Sequence, residues 1–258
     1  MKFLCALSLL VGLQLCAPRA QVREKGGPEK AAATTRPEAA PRGARTVICI
    51  DPGHPSEVAS GMGVQNGTNE TRVAWEVALR LRGILEAGGY EVVLTKSAEG
   101  ELVRNRDRAL VANRARAALM VRLHCDASVE SGFAVYYPDR PGQTKDGVTG
   151  PPASVIGESR RAAEAVHAGM AEGLAGALKD NGVRTDYQTK VGREQGGALT
   201  GSIFSEVPVV TVEMVVLSDR ADAEFIKAEA GQQRMAASIA DGIKRFVGPA
   251  AAPPRKDE

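Results

Sequence analysis

The sequence predicts an α/β protein: a single-domain α/β sandwich with a largely parallel central sheet flanked by helices. Short apolar runs rich in β-branched residues alternate with longer stretches whose apolar positions recur at helical spacing. At 258 residues and 43% hydrophobic content the chain can bury one sizeable core, and no internal repeat divides it.

The domain opens with Val47-Ile48-Cys49-Ile50, closed by Asp51-Pro52-Gly53, which reads as a buried strand entering a loop. Polar, glycine-rich sequence follows to Asn69. A helix is expected from Glu70 to Ala87, because Ala74, Val77, Ala78, Leu81, Ile84 and Leu85 share one face. Thr68 or Asn69 can cap its start, and Gly88-Gly89 stops it. Tyr90 to Leu94 reads as a strand, Leu102 to Ala117 as an arginine-rich helix and Leu119 to Leu123 as another strand. The arginines of that helix (Arg104, Arg106, Arg108, Arg114 and Arg116) are expected to form a solvated face rather than to contact substrate carboxylates. Phe133 to Tyr137 adds a strand, and Ser154 to Lys179 a long helix with Ala163, Val166, Met170, Leu174, Ala177 and Leu178 inward. Asn181 to Gly201 is too polar and glycine-rich to assign. Val207 to Val212 reads as a β-branched strand, and Ala221 to Val247 as a closing helix with Met235, Ile239, Ile243 and Phe246 on one side.

Residues 1–20 read as a secretory signal, since Lys2 precedes an acid-free apolar run reaching Leu15. The cleavage point is poorly marked. Cys16 is a weak candidate for lipid attachment, because Leu15 stands where a lipoprotein signal carries a small residue. Residues 21–45 lack aromatic residues and read as a flexible linker, 46–248 as the folded domain and 249–258 as a disordered tail. The expected location is the periplasm or cell envelope.

Between Thr46 and Gly248 lie 23 basic and 26 acidic residues, a balance of −3, so the slight basicity of the whole chain belongs to its ends. No nucleic-acid partner is expected. Cys49 and Cys125 are the cysteines of the domain, and with no CxxC pair neither a thioredoxin-like motif nor a zinc knuckle is available. Two buried thiols are favoured over a disulfide.

Of the three histidines, His54 and His124 follow strands, where ligands gather in open α/β sheets. Glu70 sits at a helix start, and Glu213 ends the strand Val207 to Val212. Two imidazoles and two carboxylates delivered to one rim suit a catalytic zinc, which takes three protein ligands and leaves room for water. A further carboxylate then moves the proton. Chemistry alone leaves open which glutamate does which. His167, mid-helix, reads as structural or exposed.

Ile50-Asp51-Pro52-Gly53-His54, Asn69-Glu70, Ala112-Asn113 leading to Leu123-His124, and Val207 to Glu213 together resemble the zinc-dependent N-acetylmuramoyl-L-alanine amidases. The resemblance covers essentially all of Thr46 to Val247. It implies an α/β sandwich, one zinc ion on the residues matching His54, Glu70 and His124, and the residue matching Glu213 as the catalytic carboxylate. It also implies peptidoglycan as substrate, cut between the lactyl group of N-acetylmuramic acid and L-alanine. The chain departs from the family at Pro55-Ser56-Glu57, at Arg122, Cys125 and Asp126 around the second histidine, at Met214-Val215-Val216, and at Ser218-Asp219.

Two rivals stand beside this reading: a zinc hydrolase of another amide, supported by Met214 and Asp126, and a catalytically silent wall-binding module, opposed by the intact Glu213. A monomer is expected. A protein activator is a candidate partner, and Pro138 to Ala153 and Asn181 to Gly201 are long enough to cover a cleft.

Overall fold

The computed structural model describes residues 45–126 and 130–250, so the expected signal, Cys16, most of the linker and the tail from 251 lie outside the described residues. Strands β1 (Val47–Pro52), β2 (Glu91–Leu94), β3 (Leu119–Asp126), β4 (Phe133–Tyr137), β7 (Asp180–Thr185) and β8 (Val209–Val216) form one six-stranded sheet in the order β2-β1-β3-β8-β4-β7. Five neighbours make four parallel pairs and one antiparallel pair, β4 against β8. A two-stranded hairpin, β5 (Gly142–Gln143) with β6 (Thr149–Gly150), stands apart from it.

Successive strand residues point to opposite faces, and this sorts the chain. On one face Ile48, Ile50, Val121, Leu123, Val210, Val212 and Met214 join the main core beneath helices α1 (Glu70–Ala87), α3 (Ala153–Gly173) and α7 (Glu229–Val247). The other face carries Cys49, Met120 and Val209 in a second, smaller cluster under helix α2 (Asn105–Arg114). Beyond α2 that second face is polar and forms the floor of a cleft. One wall of the cleft is built by the chain from Asp186 to Ile203, with a 3-10 turn (Asp186–Gln188) and the short helices α4 (Lys190–Glu194) and α5 (Thr200–Ile203).

Helix α1 has the expected bounds, and Asn69 caps it by accepting from Arg72 N at 2.9 Å. Other boundaries moved. Helix α2 is shorter than Leu102 to Ala117 because its start is held by Glu57, whose carboxylate accepts from Asn105 N at 2.9 Å. Helix α3 ends at Gly173, and Gly176 then turns the chain at φ 73 into β7, a strand absent from the sequence reading. The closing helix is two, α6 (Arg220–Lys227) and α7, with Asp219 capping the first. Ala250, expected in the tail, packs against the core, and Tyr90 Oη donates to Gly248 O at 2.6 Å.

Four expectations about side chains are settled. Arg108 is not on a solvated face: it is 1% exposed and bonded to Asp51. Met214 belongs to the core, because alternation along β8 sends it away from Glu213's side, so it lends no support to a different substrate. Cys49 and Cys125 are buried and share no disulfide. His167 ties α3 to β7 by pairing with Asp180 at 2.8 Å. The segments Pro138 to Ala153 and Asn181 to Gly201 border the cleft through the second, which lines it from Arg184 to Thr200. No helix among the described residues is long and apolar enough to cross a membrane.

Candidate metal centre

His124 and Glu213 lie inside β3 and β8 rather than beyond their ends, because both strands run on through Asp126 and Val216. They are partners in register, on strands that neighbour at about 4.8 Å. The register shifts immediately afterwards, so the pair stands at the last regular rung of this ladder. Glu70, first residue of α1, reaches over the strand ends to both imidazoles. Its Oε1 lies 2.9 Å from His124 Nδ1 and 3.3 Å from His54 Nε2. One ligand atom from each of His54, Glu70 and His124 falls within 4.8 Å of the others, and the two rings meet edge to face at 5.1 Å.

The loop carrying His54 is strained and clamped. His54 has φ 53, a region that side chains other than glycine seldom adopt. Arg108 donates to Pro52 O at 2.7 Å and to Pro55 O at 2.8 Å, and Lys96 Nζ donates to His54 O. Glycines make room for the rings. A Cβ on Gly53 would stand 2.6 Å from His124 Cε1, and one on Gly61, already at φ 64, would stand 2.6 Å from His54 Cβ.

The arrangement suits a divalent metal. His54 Nδ1 faces the Ala59 carbonyl at 3.1 Å, so in the neutral ring the proton sits on Nδ1 and the lone pair of Nε2 points towards Glu70, the form that a metal ligand needs. His124 Nε2 is buried without a hydrogen-bond partner among the described residues. Burial pulls the His54 imidazole down, but Glu70 and the Ala59 carbonyl outweigh it and its pKa lies above the ordinary value. For His124 burial prevails over Glu70, and its pKa lies below. Burial would raise the Glu70 carboxyl, yet the two histidines hold it well below the usual carboxylate range. Two nitrogens and one carboxylate oxygen on three separate elements make a three-ligand set that leaves a further position open, the pattern of catalytic zinc.

Beneath the His54 loop lies a buried ion cluster that sequence reasoning missed. Asp51, fully buried, accepts from Arg108 Nη1 at 2.6 Å, from Arg122 Nε at 3.0 Å and from Thr95 Oγ1. The sole local signal was an acid inside an apolar strand, since both arginines come from distant segments. Asn113, singled out in the sequence, is structural: it bonds Phe204 O and Glu206 N and so holds the turn leading into β8.

The cleft over this floor measures about 590 Å³, and His54, Arg122, His124, Thr211 and Glu213 all line it. The model of a protein family described as N-acetylmuramoyl-L-alanine amidase matches residues 48–245. The chain is 28% identical over 193 residues to the N-acetylmuramoyl-L-alanine amidase Rv3717 of Mycobacterium tuberculosis, covering 73% of each. It is 25% identical over 250 residues to AmiC of Neisseria meningitidis, covering 86% of this chain but only 58% of that relative. Its fold is similar to the amidase AmiC2 of Nostoc punctiforme, with a TM-score of 0.61 and 24% identity across 78% of this chain and 96% of that one.

Proposed function

Because the chain belongs to the N-acetylmuramoyl-L-alanine amidase family and is a peptidoglycan hydrolase, we propose that one zinc ion held by His54, Glu70 and His124 serves its reaction, with Glu213 carrying the proton. The reaction hydrolyses the amide between N-acetylmuramic acid and the L-alanine of the stem peptide. The observation that carries the zinc reading is the meeting of the three ligand atoms within 4.8 Å, beside a carboxylate in register with His124.

Zinc, when bound, supplies a Lewis acid that polarises an amide carbonyl and makes water more acidic. The protein's own residues do the rest. His54 and His124 are held with one ring nitrogen each towards Glu70, by the Ala59 carbonyl and by close packing on Gly53. Glu213, half-buried on the cleft floor, accepts the proton of the attacking water at its carboxylate and returns it to the departing alanine nitrogen. The Asp51–Arg108 pair under the loop keeps His54 in its strained conformation while substrate comes and goes.

Export through residues 1–20, a linker over 21–45 and a monomeric domain over 46–248 belong to the same reading, as does a protein activator. The test is mass spectrometry of the soluble products when the full chain meets intact peptidoglycan with zinc, with chelator, and as Glu213→Ala. Stem peptides with a new L-alanine amine, lost with chelator and in the variant, are expected. Release that survives both treatments would sink the zinc and Glu213 assignments.

A further inference from the structure

One row of polar residues crosses the sheet beside the metal centre. Asp51, Arg122, Thr211, Tyr136 and Arg184 are successive register partners on β1, β3, β8, β4 and β7, so they share the cleft face. The row lies two residues before His124 and Glu213 along β3 and β8, a separation of about 6.6 Å. Within it, Thr211 is 4% exposed, lines the cleft, and its Oγ1 has no hydrogen-bond partner among the described residues. A buried hydroxyl left in that state is costly unless something arrives to bond it.

The row is also positively charged. Asp51 is shared between two buried guanidiniums, Arg108 and Arg122, leaving one positive charge in excess. Arg108 is bonded below the floor at Nε, Nη1 and Nη2. Arg122, by contrast, bonds Asp51 through Nε and Asn105 through Nη2, while its Nη1 makes no hydrogen bond among the described residues, and the residue lines the cleft. Gly201 lets α5 lie directly on that group: a Cβ there would stand 2.8 Å from Arg122 Cζ and Nη1. Arg184 at the far end of the row and Lys190 on the wall also line the cleft, but each is paired with a glutamate, Glu130 at 3.3 Å and Glu194 at 3.9 Å, so the excess charge rests on Arg122. Asp186 lies near Arg122, but no hydrogen bond or ion pair joins the two.

From this we infer that Arg122 and Thr211 form a carboxylate subsite on the cleft floor, which recognises the free α-carboxylate of the second stem-peptide residue. The inference rests on the amidase reading above. The span agrees: in an extended chain two residues cover about 6.6–7.2 Å, so with the scissile carbonyl at the metal centre the carbonyl carbon two residues on reaches this row. When the second residue is γ-linked glutamate, that carbon belongs to a free carboxylate, able to accept from Arg122 Nη1 and Thr211 Oγ1. Its α-carboxamide would set an NH₂ against a guanidinium.

A digest of peptidoglycan in which that residue is partly amidated tests this. The ratio of acid to amide among peptides released early is compared with the ratio in the whole wall. Because both forms compete in one tube, the ratio does not depend on how much enzyme is loaded or folded. Wild type is expected to favour the acid by about tenfold to a hundredfold, from a charge-assisted bond. Thr211→Val should reduce that preference about threefold to tenfold, and Arg122→Gln should bring it close to unity. Thermal melting checks that the variants fold; should Arg122→Gln fail, Thr211→Val decides alone. A wild-type ratio equal to that of the wall, or a preference unchanged in the folded variants, overturns the subsite while leaving the amidase standing. No release of either form overturns both.

Discussion

Asp51 Oδ1 and Arg108 Nη1 lie 2.6 Å apart, with side chains 0% and 1% exposed, directly beneath the loop that presents His54. A single guanidinium thus satisfies the carboxylate and also grips the carbonyls of Pro52 and Pro55 on either side of Gly53-His54. The ion pair joins a residue of β1 to one of α2, and its function is to hold a backbone conformation that the loop would not adopt by itself.

Replacing Asp51 by Asn removes the one negative charge from a buried cluster that keeps two positive ones. Breaking a buried pair from one side costs about 3–5 kcal/mol, because the remaining charge is left without compensation. Urea unfolding of Asp51→Asn should show that loss. A change within about 0.5 kcal/mol would mean that the cluster is not what holds the loop.

Asp51 also predicts a pH dependence. Burial would raise its carboxyl, but Arg108 and Arg122 hold it well below the usual carboxylate range. The unfolded chain titrates this group near about 3.9, so in the window below that value the unfolded state binds more protons and stability falls as pH falls. The contribution is full above about pH 5 and shrinks progressively below about pH 4. Glu70, also held low, acts in the same direction. Urea midpoints of wild type and Asp51→Asn at about pH 6 and about pH 3 separate the two, with the steeper fall expected in wild type.

Legibility in the sequence followed how local the determinants are. Helix α1 could be read to the residue because its apolar face, the Asn69 cap and the Gly88-Gly89 stop all lie within it. Strand β7 could not: Asp180-Asn181-Gly182 has no strand composition, and it pairs because β4 offers an open edge. Glu213 read as the end of a strand because a carboxylate interrupts an apolar run, whereas Met214-Val215-Val216 continue it into the core. His54, Glu70, His124 and Glu213 were found through short blocks with recognisable order, and the structure brings them together. The roles of Arg108, Arg122 and Thr211 were not legible, since the first was read as part of a solvated face and the meaning of all three depends on partners in other strands.

Gly53→Ala should damage the proposed metal centre without replacing any of its three ligand residues. The added Cβ meets His124 Cε1 at 2.6 Å and the Leu123 carbonyl at 2.7 Å, and neither the strand nor the packed ring can withdraw easily. Overpacking of this kind costs about 1–3 kcal/mol. Displacing a ligand's support lowers metal affinity about tenfold to a hundredfold. Competitive zinc titration against a chelating dye measures it, and unchanged affinity would show that His124 has room to move.

Zinc should stabilise the folded chain, because the three ligands converge only when β1, β3 and α1 are assembled. At a hundredfold excess over Kd the gain is about 2.7 kcal/mol. For a domain of this size that corresponds to a rise in Tm of roughly 5–10 °C. Differential scanning calorimetry with and without chelator should show the rise in wild type and little in His54→Ala or His124→Ala. Equal shifts in all three would place the ion elsewhere.

Glu213→Gln separates proton transfer from metal binding. Glutamine keeps the length and planarity of the side chain on β8 opposite His124, so the cleft floor retains its shape. What it loses is the ability to take up a proton at neutral pH, and a positioned general base contributes about 10²–10⁴-fold to rate. Because Glu213 is outside the His54, Glu70 and His124 set, zinc content by elemental analysis and the zinc-dependent rise in Tm should match wild type. Stem-peptide release should fall by those two to four orders of magnitude in kcat, with KM little changed. A variant that loses zinc along with activity would make Glu213 part of the metal's own support, and one that keeps most of its rate would move the proton carrier to another residue of the cleft.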